Sequence, residues 1–97
     1  MDAAAHVPPS VRPLVARLAA TPGVRRVVLY GSRARGDHRE RSDVDLALGA
    51  PGLDRAAWVR LWTDAQEAAT LYHVDFLCLD GAPDRFRQRI EAEGVDV

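Results

Sequence analysis

Two aspartates at the start of an apolar strand are the feature that most constrains the fold of this chain. Asp43 and Asp45 flank Val44, and the other residues of the run 44–48 are apolar. Residues i and i+2 of a β-strand face the same side, so both carboxylates project together while apolar neighbours pack on the opposite side. Two like charges this close disfavour joint ionisation unless a cation lies between them. The pattern therefore predicts a cation site at one face of a sheet.

The turn that ends the preceding apolar run is the second unusual feature. Val27–Tyr30 is nearly continuous and apolar, which favours a central strand covered on both faces. Gly31 and Ser32 end it, and a glycine-serine turn leading into a helical turn offers N–H groups and a hydroxyl to an anion. Four arginines follow in the same loop: Arg33, Arg35, Arg39 and Arg41. Because arginine forks match phosphate oxygens, the turn predicts a triphosphate bridged by metal to the aspartates.

A third carboxylate, Asp75, lies at the start of the next apolar strand, HVDFLCL. If that strand pairs beside the second strand, Asp75 joins the two aspartates, and three carboxylates can hold two Mg²⁺ or Mn²⁺ ions. We therefore interpret Asp75 as a metal ligand and general base. His73 is close enough to approach this site, but we interpret it as an exposed strand residue.

The rest of the chain reads as alternating helices and strands. Its 97 residues fit one domain, with residues 1–9 as a flexible tail and residues 10–97 as the folded domain. The predicted order is α-β-α-β-α-β-α, a small α/β sheet flanked by helices. Ser10 is the expected cap of the first helix, and Asp54 that of the longest helix. The last helix is expected to begin at Pro83.

The apolar residues of the helices are interpreted as core packing. The longest helix carries a stripe at helical spacing: Trp58, Leu61, Trp62, Ala65, Ala68, Ala69 and Tyr72. In the last helix, Phe86 and Ile90 are expected to face inward, and Gly94 stands where a C-terminal cap belongs.

Charge and composition narrow the classes of function. The net charge is −1, so no global field favours nucleic acid or membrane. No apolar segment approaches the length of a membrane span, and no secretory signal is visible, so we expect a cytoplasmic protein. The one cysteine, Cys78, excludes an intramolecular disulfide and a Cys-based zinc cluster.

The spaced motif resembles that of a known family. Gly31, Ser32, ten further residues, then Asp43, Val44 and Asp45 match the Gly-Ser-x10-Asp-x-Asp signature of minimal nucleotidyltransferases (MNT). The wider stretch GSRARG…SDVDLAL resembles this group within the DNA polymerase β-like nucleotidyltransferase superfamily, and the element order extends the resemblance over the whole chain. It implies a single-domain α+β palm with a small mixed sheet. It also implies transfer of a nucleoside monophosphate from ATP or another nucleoside triphosphate to an acceptor hydroxyl.

The resemblance also assigns roles by position. It implies that Gly31 and Ser32 hold the triphosphate and that Arg35 contacts it, with Arg33 and Ser42 as further nucleotide-binding candidates. Two Mg²⁺ ions per site, or Mn²⁺, are implied, held by three carboxylates: Asp43, Asp45 and Asp75. Asp75 would also help to deprotonate the acceptor, whereas Arg39 and Arg41 read as solvated loop charges.

The acceptor is expected to arrive on another molecule, because the chain ends soon after its third strand and one helix. Stand-alone proteins of this kind resemble the antitoxins of HEPN/MNT toxin–antitoxin pairs. The resemblance implies transfer of AMP to a tyrosine of a helical HEPN ribonuclease toxin, which it would silence. Two alternatives stay open: occlusion of the toxin without catalysis, and transfer to an RNA 3′-hydroxyl. The mildly acidic balance, with no basic stripe outside the loop, weighs against direct RNA binding.

Overall fold

A four-stranded mixed sheet forms the centre of the structure. The structure is a computed structural model, and it describes residues 7–37, 39, 43–68 and 72–97. The elements follow in the order α1 (Arg12–Ala20), β1 (Arg26–Tyr30), α2 (Ser32–Arg35), β2 (Val44–Gly49), α3 (Arg55–Ala68), β3 (Val74–Cys78), a 3₁₀ turn (Leu79–Gly81), α4 (Asp84–Glu93) and β4 (Val95–Asp96). The strands lie in the order β3-β2-β1-β4. β1 is antiparallel to β2 and β4, and β2 is parallel to β3. The predicted mixed sheet flanked by helices is confirmed, with β4 added to the expected order.

Most of the core lies on the sheet face that α1 and α3 cover. Alternate residues of the two central strands point into it, and Leu29 and Leu46 are 0% exposed. Trp58 of α3 packs edge-on against Phe76 of β3, with ring centroids 5.4 Å apart. Both helices are held by burial of apolar surface, the dominant favourable contribution to folding.

The opposite face of the sheet has a much smaller apolar cluster under α4. Its buried members are Val28, Ala47, Leu79 and Ile90. Because Val28 points to this face and its neighbours in β1 point to the other, β1 is covered on both sides, as its continuous apolar run predicted. The α4 face is therefore only partly apolar, and the small cluster covers one part of it.

The N-terminal boundary of the packed domain precedes residue 10. Val7 is 2% exposed and packs with the main cluster, although residues 1–9 were predicted to form a tail. Residues 1–6 lie outside the described residues, so a tail there stays a prediction.

The start of α1 differs from the prediction that Ser10 caps it. Val11 occupies the N-cap position, and no side chain caps the helix. A turn takes the place of the cap, because the carbonyl of Pro8 accepts the N–H of Val11 at 2.9 Å. In α3 the predicted cap is confirmed, since Asp54 Oδ1 accepts the N–H of Ala57 at 2.8 Å.

Two aromatic residues that were predicted to face the core are partly exposed. Trp62 is 50% exposed, because it lies one position beyond the buried Leu61 and hence about 100° further around the helix. Phe86 is 39% exposed and meets the ring of Tyr30 edge-on at 6.1 Å between centroids. Ile90 is buried as predicted, while Ala69 lies outside the described residues.

Gly94 ends α4, as predicted, but for a reason other than a left-handed cap. Its backbone is extended, with φ −72° and ψ 158°. A Cβ at this position would collide with the side chain of Val28 and with the carbonyl of Ile90, because the chain turns back closely over β1 to form β4. Among the helices of the described residues, none is both long and apolar enough to span a membrane.

Candidate active site

Three side chains from neighbouring strands form a row across the α4 face of the sheet. The register of β1 and β2 pairs Tyr30 with Asp45, and that of β2 and β3 pairs Asp45 with Asp75. Paired residues project to the same side, so Asp45 lies between the tyrosine and the second aspartate. Asp43 stands two positions before Asp45 and one before β2 begins, and it faces the same side. The structure thus brings together the three carboxylates that the sequence pointed to.

His73 joins these carboxylates at the exposed end of the row. Its Nε2 lies 2.8 Å from Asp75 Oδ1, and ligand atoms of Asp43, His73 and Asp75 all lie within 4.8 Å of one another. His73 is exposed, as expected, but it belongs to the site rather than to a plain strand surface. The sequence signal for the place of His73 in the site is its spacing of two residues from Asp75, which directs both side chains to one face of the sheet.

The three carboxylates at this site (Asp43, Asp45 and Asp75, the carboxylate row) repel one another, so their joint ionisation is unfavourable without a cation. Burial, followed by the negative charges of Asp75 and Asp43, raises the pKa of Asp45, while His73 and Arg35 act in the opposite direction. Burial, together with the charges of Asp45 and Asp75, also raises the pKa of Tyr30 to about 12. A divalent cation would relieve the repulsion, and carboxylate oxygens are ligands suited to Mg²⁺ or Mn²⁺.

Gly31 places the predicted phosphate turn directly against this row. Its φ of +75° and ψ of −154° are readily adopted only by glycine. A Cβ at position 31 would lie 2.5 Å from Asp45 Oδ2, so the carboxylate needs the space that the missing side chain leaves. Ser32 then begins α2 (Ser32–Arg35), the helical turn that was expected to follow the glycine-serine turn. The turn and the carboxylates therefore form one continuous site.

The two candidate arginines of α2 point to different environments. Arg33 is 5% exposed, and its guanidinium lies 5.1 Å from the ring centroid of Tyr72. Arg35 reaches the surface, where its Nε lies 3.1 Å from Asp37 Oδ2 and its Nη1 3.3 Å from Glu93 Oε2. Arg35 is thus the better placed of the two for a soluble anion.

The remaining candidate positions of the loop are described only in part. Arg39 is exposed. Arg41 and Ser42 lie outside the described residues, so the nucleotide-binding role of Ser42 stays a prediction.

Comparison with known families places the site within a recognised sequence group. The family described as polymerase beta, nucleotidyltransferase matches residues 14–97, a range that includes the turn and the carboxylate row. Among curated proteins, none matches this chain.

Solved structures with the same fold extend the comparison. A protein described as a minimal nucleotidyltransferase is 30% identical, with a TM-score of 0.71, and the match covers 100% of this chain and 97% of that one. A toxin–antitoxin structure with AMP-PNP is 25% identical, with a TM-score of 0.68 and coverage of 90% and 68%. A complex of a tri-AMPylated Shewanella oneidensis HEPN toxin with an MNT antitoxin shares the fold at 23% identity, with a TM-score of 0.61 and coverage of 89% and 64%.

Proposed function

Because this chain belongs to the polymerase beta nucleotidyltransferase family, we propose that it transfers AMP from ATP to a hydroxyl group of a partner protein. The observation that carries the proposal is the pairing of Asp45 with Asp75 beside the turn at Gly31. Two carboxylates placed opposite one another repel, so folding alone supplies no reason for them. A site that binds metal and phosphate does supply one.

The residues of the row would hold Mg²⁺ or Mn²⁺ ions, two per site as the family resemblance implies. The proposed ligands are Asp43, Asp45 and Asp75, and His73 is placed to contribute an imidazole nitrogen. When bound, such ions neutralise phosphate charge and favour displacement at phosphorus. Gly31 and Ser32 would hold the triphosphate, with Arg35 as an additional contact.

In the proposed reaction, the acceptor oxygen forms a bond to the α-phosphorus of ATP. The bond from that phosphorus to the oxygen bridging to the β-phosphate breaks, and pyrophosphate leaves. Asp75 takes the proton of the acceptor hydroxyl. Tyr30 is neutral at physiological pH even at its ordinary pKa of 10.0, and the rise to about 12 reinforces this, so it adds no further negative charge to the row.

The proposed acceptor is a tyrosine of a HEPN ribonuclease toxin, which would make this protein an antitoxin. Two observations support this partner: the Gly-Ser-x10-Asp-x-Asp motif, and the match to a toxin–antitoxin structure with AMP-PNP. The reaction would take place in the cytoplasm, where both ATP and the toxin's RNA substrate are found.

The test is to incubate the cognate toxin with ATP and Mg²⁺ and to follow its intact mass. The wild-type protein should add one or more adenylyl groups, and Asp75→Asn should add none. Asp64→Asn, which removes an exposed carboxylate from α3, is the matched control and should behave as wild type. If Asp75→Asn silences the toxin as well as wild type does, with no mass change on either, occlusion replaces catalysis as the mechanism. Labelled AMP appearing on RNA rather than on the toxin would instead identify an RNA acceptor.

Nucleotide binding gives a second test that needs no partner. Calorimetry should show tight ATP binding with Mg²⁺ and poor binding in EDTA. Replacing Asp43 and Asp45 together by Asn should abolish that difference while the far-UV circular dichroism is retained. Equal affinity with and without Mg²⁺ in the wild-type protein would contradict the role of the carboxylates in metal binding.

A further inference from the structure

A cleft opens beside Gly31, between the end of β1, α2 and α4. Its volume is about 210 Å³. One wall carries the aromatic rings of Tyr30 and Phe86, and the polar lining comes from Arg35, Arg89 and Glu93. Two arginine side chains therefore line one small volume next to the proposed catalytic row.

Glu93 connects the two arginines. Its Oε2 lies 3.3 Å from Arg35 Nη1, and its Oε1 lies 3.4 Å from Arg89 Nε. Both distances exceed the roughly 2.7–2.9 Å that is typical of strong charge-assisted hydrogen bonds. The three side chains are 39%, 67% and 30% exposed, in the order Arg35, Arg89 and Glu93, and exposed ion pairs of this kind contribute little. A stronger anion can therefore replace Glu93 at low cost.

Gly31 links this cleft to the carboxylates. Gly31 lines the cleft. It also adjoins Asp45, because a Cβ at position 31 would collide with Asp45 Oδ2. Tyr30 belongs both to the cleft wall and to the row with Asp45. An anion held between the arginines would therefore lie next to the reacting centre, as one part of the substrate bound there.

We propose that Arg35 and Arg89 form the subsite for the terminal phosphates of the nucleoside triphosphate, and that Glu93 occupies it when no nucleotide is bound. This inference rests on the proposed function and adds Arg89 and Glu93 to it. Planar guanidinium forks match phosphate oxygens in pairs, and a terminal phosphate carries more charge than the carboxylate it displaces. Adenosine carries no anionic group that would compete with Glu93.

The experiment is calorimetric titration of ATP and of AMP, each with Mg²⁺, into wild type and single variants. Arg89→Ala should lower ATP affinity roughly tenfold, because it removes charged hydrogen bonds, and should leave AMP affinity unchanged. Glu93→Gln should raise ATP affinity roughly two- to fivefold, because it removes the anion shared by Arg35 and Arg89 and leaves Asp37 as the carboxylate beside Arg35. The matched control is Arg87→Ala on the same helix, since Arg87 pairs with Asp84 and does not line the cleft.

The outcomes separate this inference from the proposed function. If wild type binds no ATP, both fail. If wild type binds ATP and Arg89→Ala binds it equally well, the subsite is wrong and the function stands. If Arg89→Ala loses affinity equally for ATP and AMP, the inner part of the nucleotide lies in the cleft and the assignment is overturned. If Glu93→Gln binds ATP more weakly than wild type, Glu93 positions the arginines instead of competing with the phosphates. Arg89→Lys, which keeps the charge without the fork, should fall between wild type and Arg89→Ala and guards against a folding defect in the latter.

Discussion

The two faces of the sheet differ in the side chains that alternating residues of the same strand supply to them. In β2, Leu46 and Leu48 point to the face under α1 and α3 and are 0% exposed, whereas Asp45 points to the face under α4 and is only half-buried. The first face holds the large apolar cluster, and the second holds a small one that ends where the carboxylates begin. The comparison indicates that the main apolar core and the candidate active site occupy opposite faces of the sheet. Adjacent residues of one strand should therefore be separable by mutation.

The largest expected effect is on the α4 face. Asp45→Asn should reduce AMP transfer roughly 10³-fold, because it removes a charge positioned for the transition state. Its unfolding free energy in urea should not fall, since the variant also removes a repelled carboxylate. Initial rates and urea titrations on the same samples measure both quantities. A loss of stability above about 1 kcal/mol would break the separation of the two faces.

The next largest effect is on the opposite face, one residue further along β2. Leu46→Ala should lower the unfolding free energy by about 3 kcal/mol, because it leaves a cavity in the main cluster. ATP affinity, measured at a temperature where the variant is folded, should match that of wild type. A large loss of affinity in the folded variant would show that packing on this face also sets the geometry of the row.

A smaller effect is expected at Gly31, where the turn touches the row. Gly31→Ala should cost about 2 kcal/mol, because alanine must adopt a left-handed backbone and crowd Asp45. Gly52→Ala is the matched control, since a Cβ there meets no atom within 4 Å, and its change should stay within about 0.5 kcal/mol. Thermal unfolding of the two variants side by side measures the difference. Equal stabilities would mean that the turn relaxes away from the carboxylate.

The smallest effect is on the pH dependence of stability without divalent cations. In the folded state, burial and the charges of Asp75 and Asp43 raise the pKa of Asp45 above its ordinary value of 3.8. Protonation of Asp45 therefore stabilises the folded state relative to the unfolded state. That contribution is complete below pH 3.8 and is lost as the pH rises through the higher pKa of the folded state. In EDTA, wild type should therefore lose stability relative to Asp45→Asn as the pH rises above 3.8 and through the raised pKa of the folded state. The opposite slope, measured by urea unfolding, would show that the row is not repulsive in the absence of metal.

The sequence predicted those parts of the site that depend on local backbone geometry. The shared side of Asp43 and Asp45 follows from the two-residue period of a strand, and the glycine-serine turn follows from the abrupt end of an apolar run. The pairing of Tyr30 with Asp45 depends on the register between two strands, which neither strand specifies alone. The contact of Arg35 with Glu93 spans 58 residues and has no local signal.

The errors outside the site have similar physical origins. β4 has only two residues, too few to show an alternating pattern. Trp62 fits the helical stripe by spacing, but α3 contacts the sheet along a narrower strip than the stripe suggested. Val7 falls within the tail predicted for residues 1–9, yet it packs in the core beside the turn at Pro8. The burial of Trp62 and Val7 depends on how each segment packs on the core, which the local sequence pattern does not specify.

The strand order has a consequence for the way in which this domain comes apart. β2 is hydrogen-bonded on both sides, to β1 and to β3, whereas β3 is an edge strand. Amide groups of a central strand exchange with solvent mainly through global opening, while an edge strand also opens locally at lower free energy. Asp75 therefore sits on a strand that opens at lower free energy than the central strand that carries Asp45. On warming, activity should disappear while the amides of β2 are still protected from deuterium.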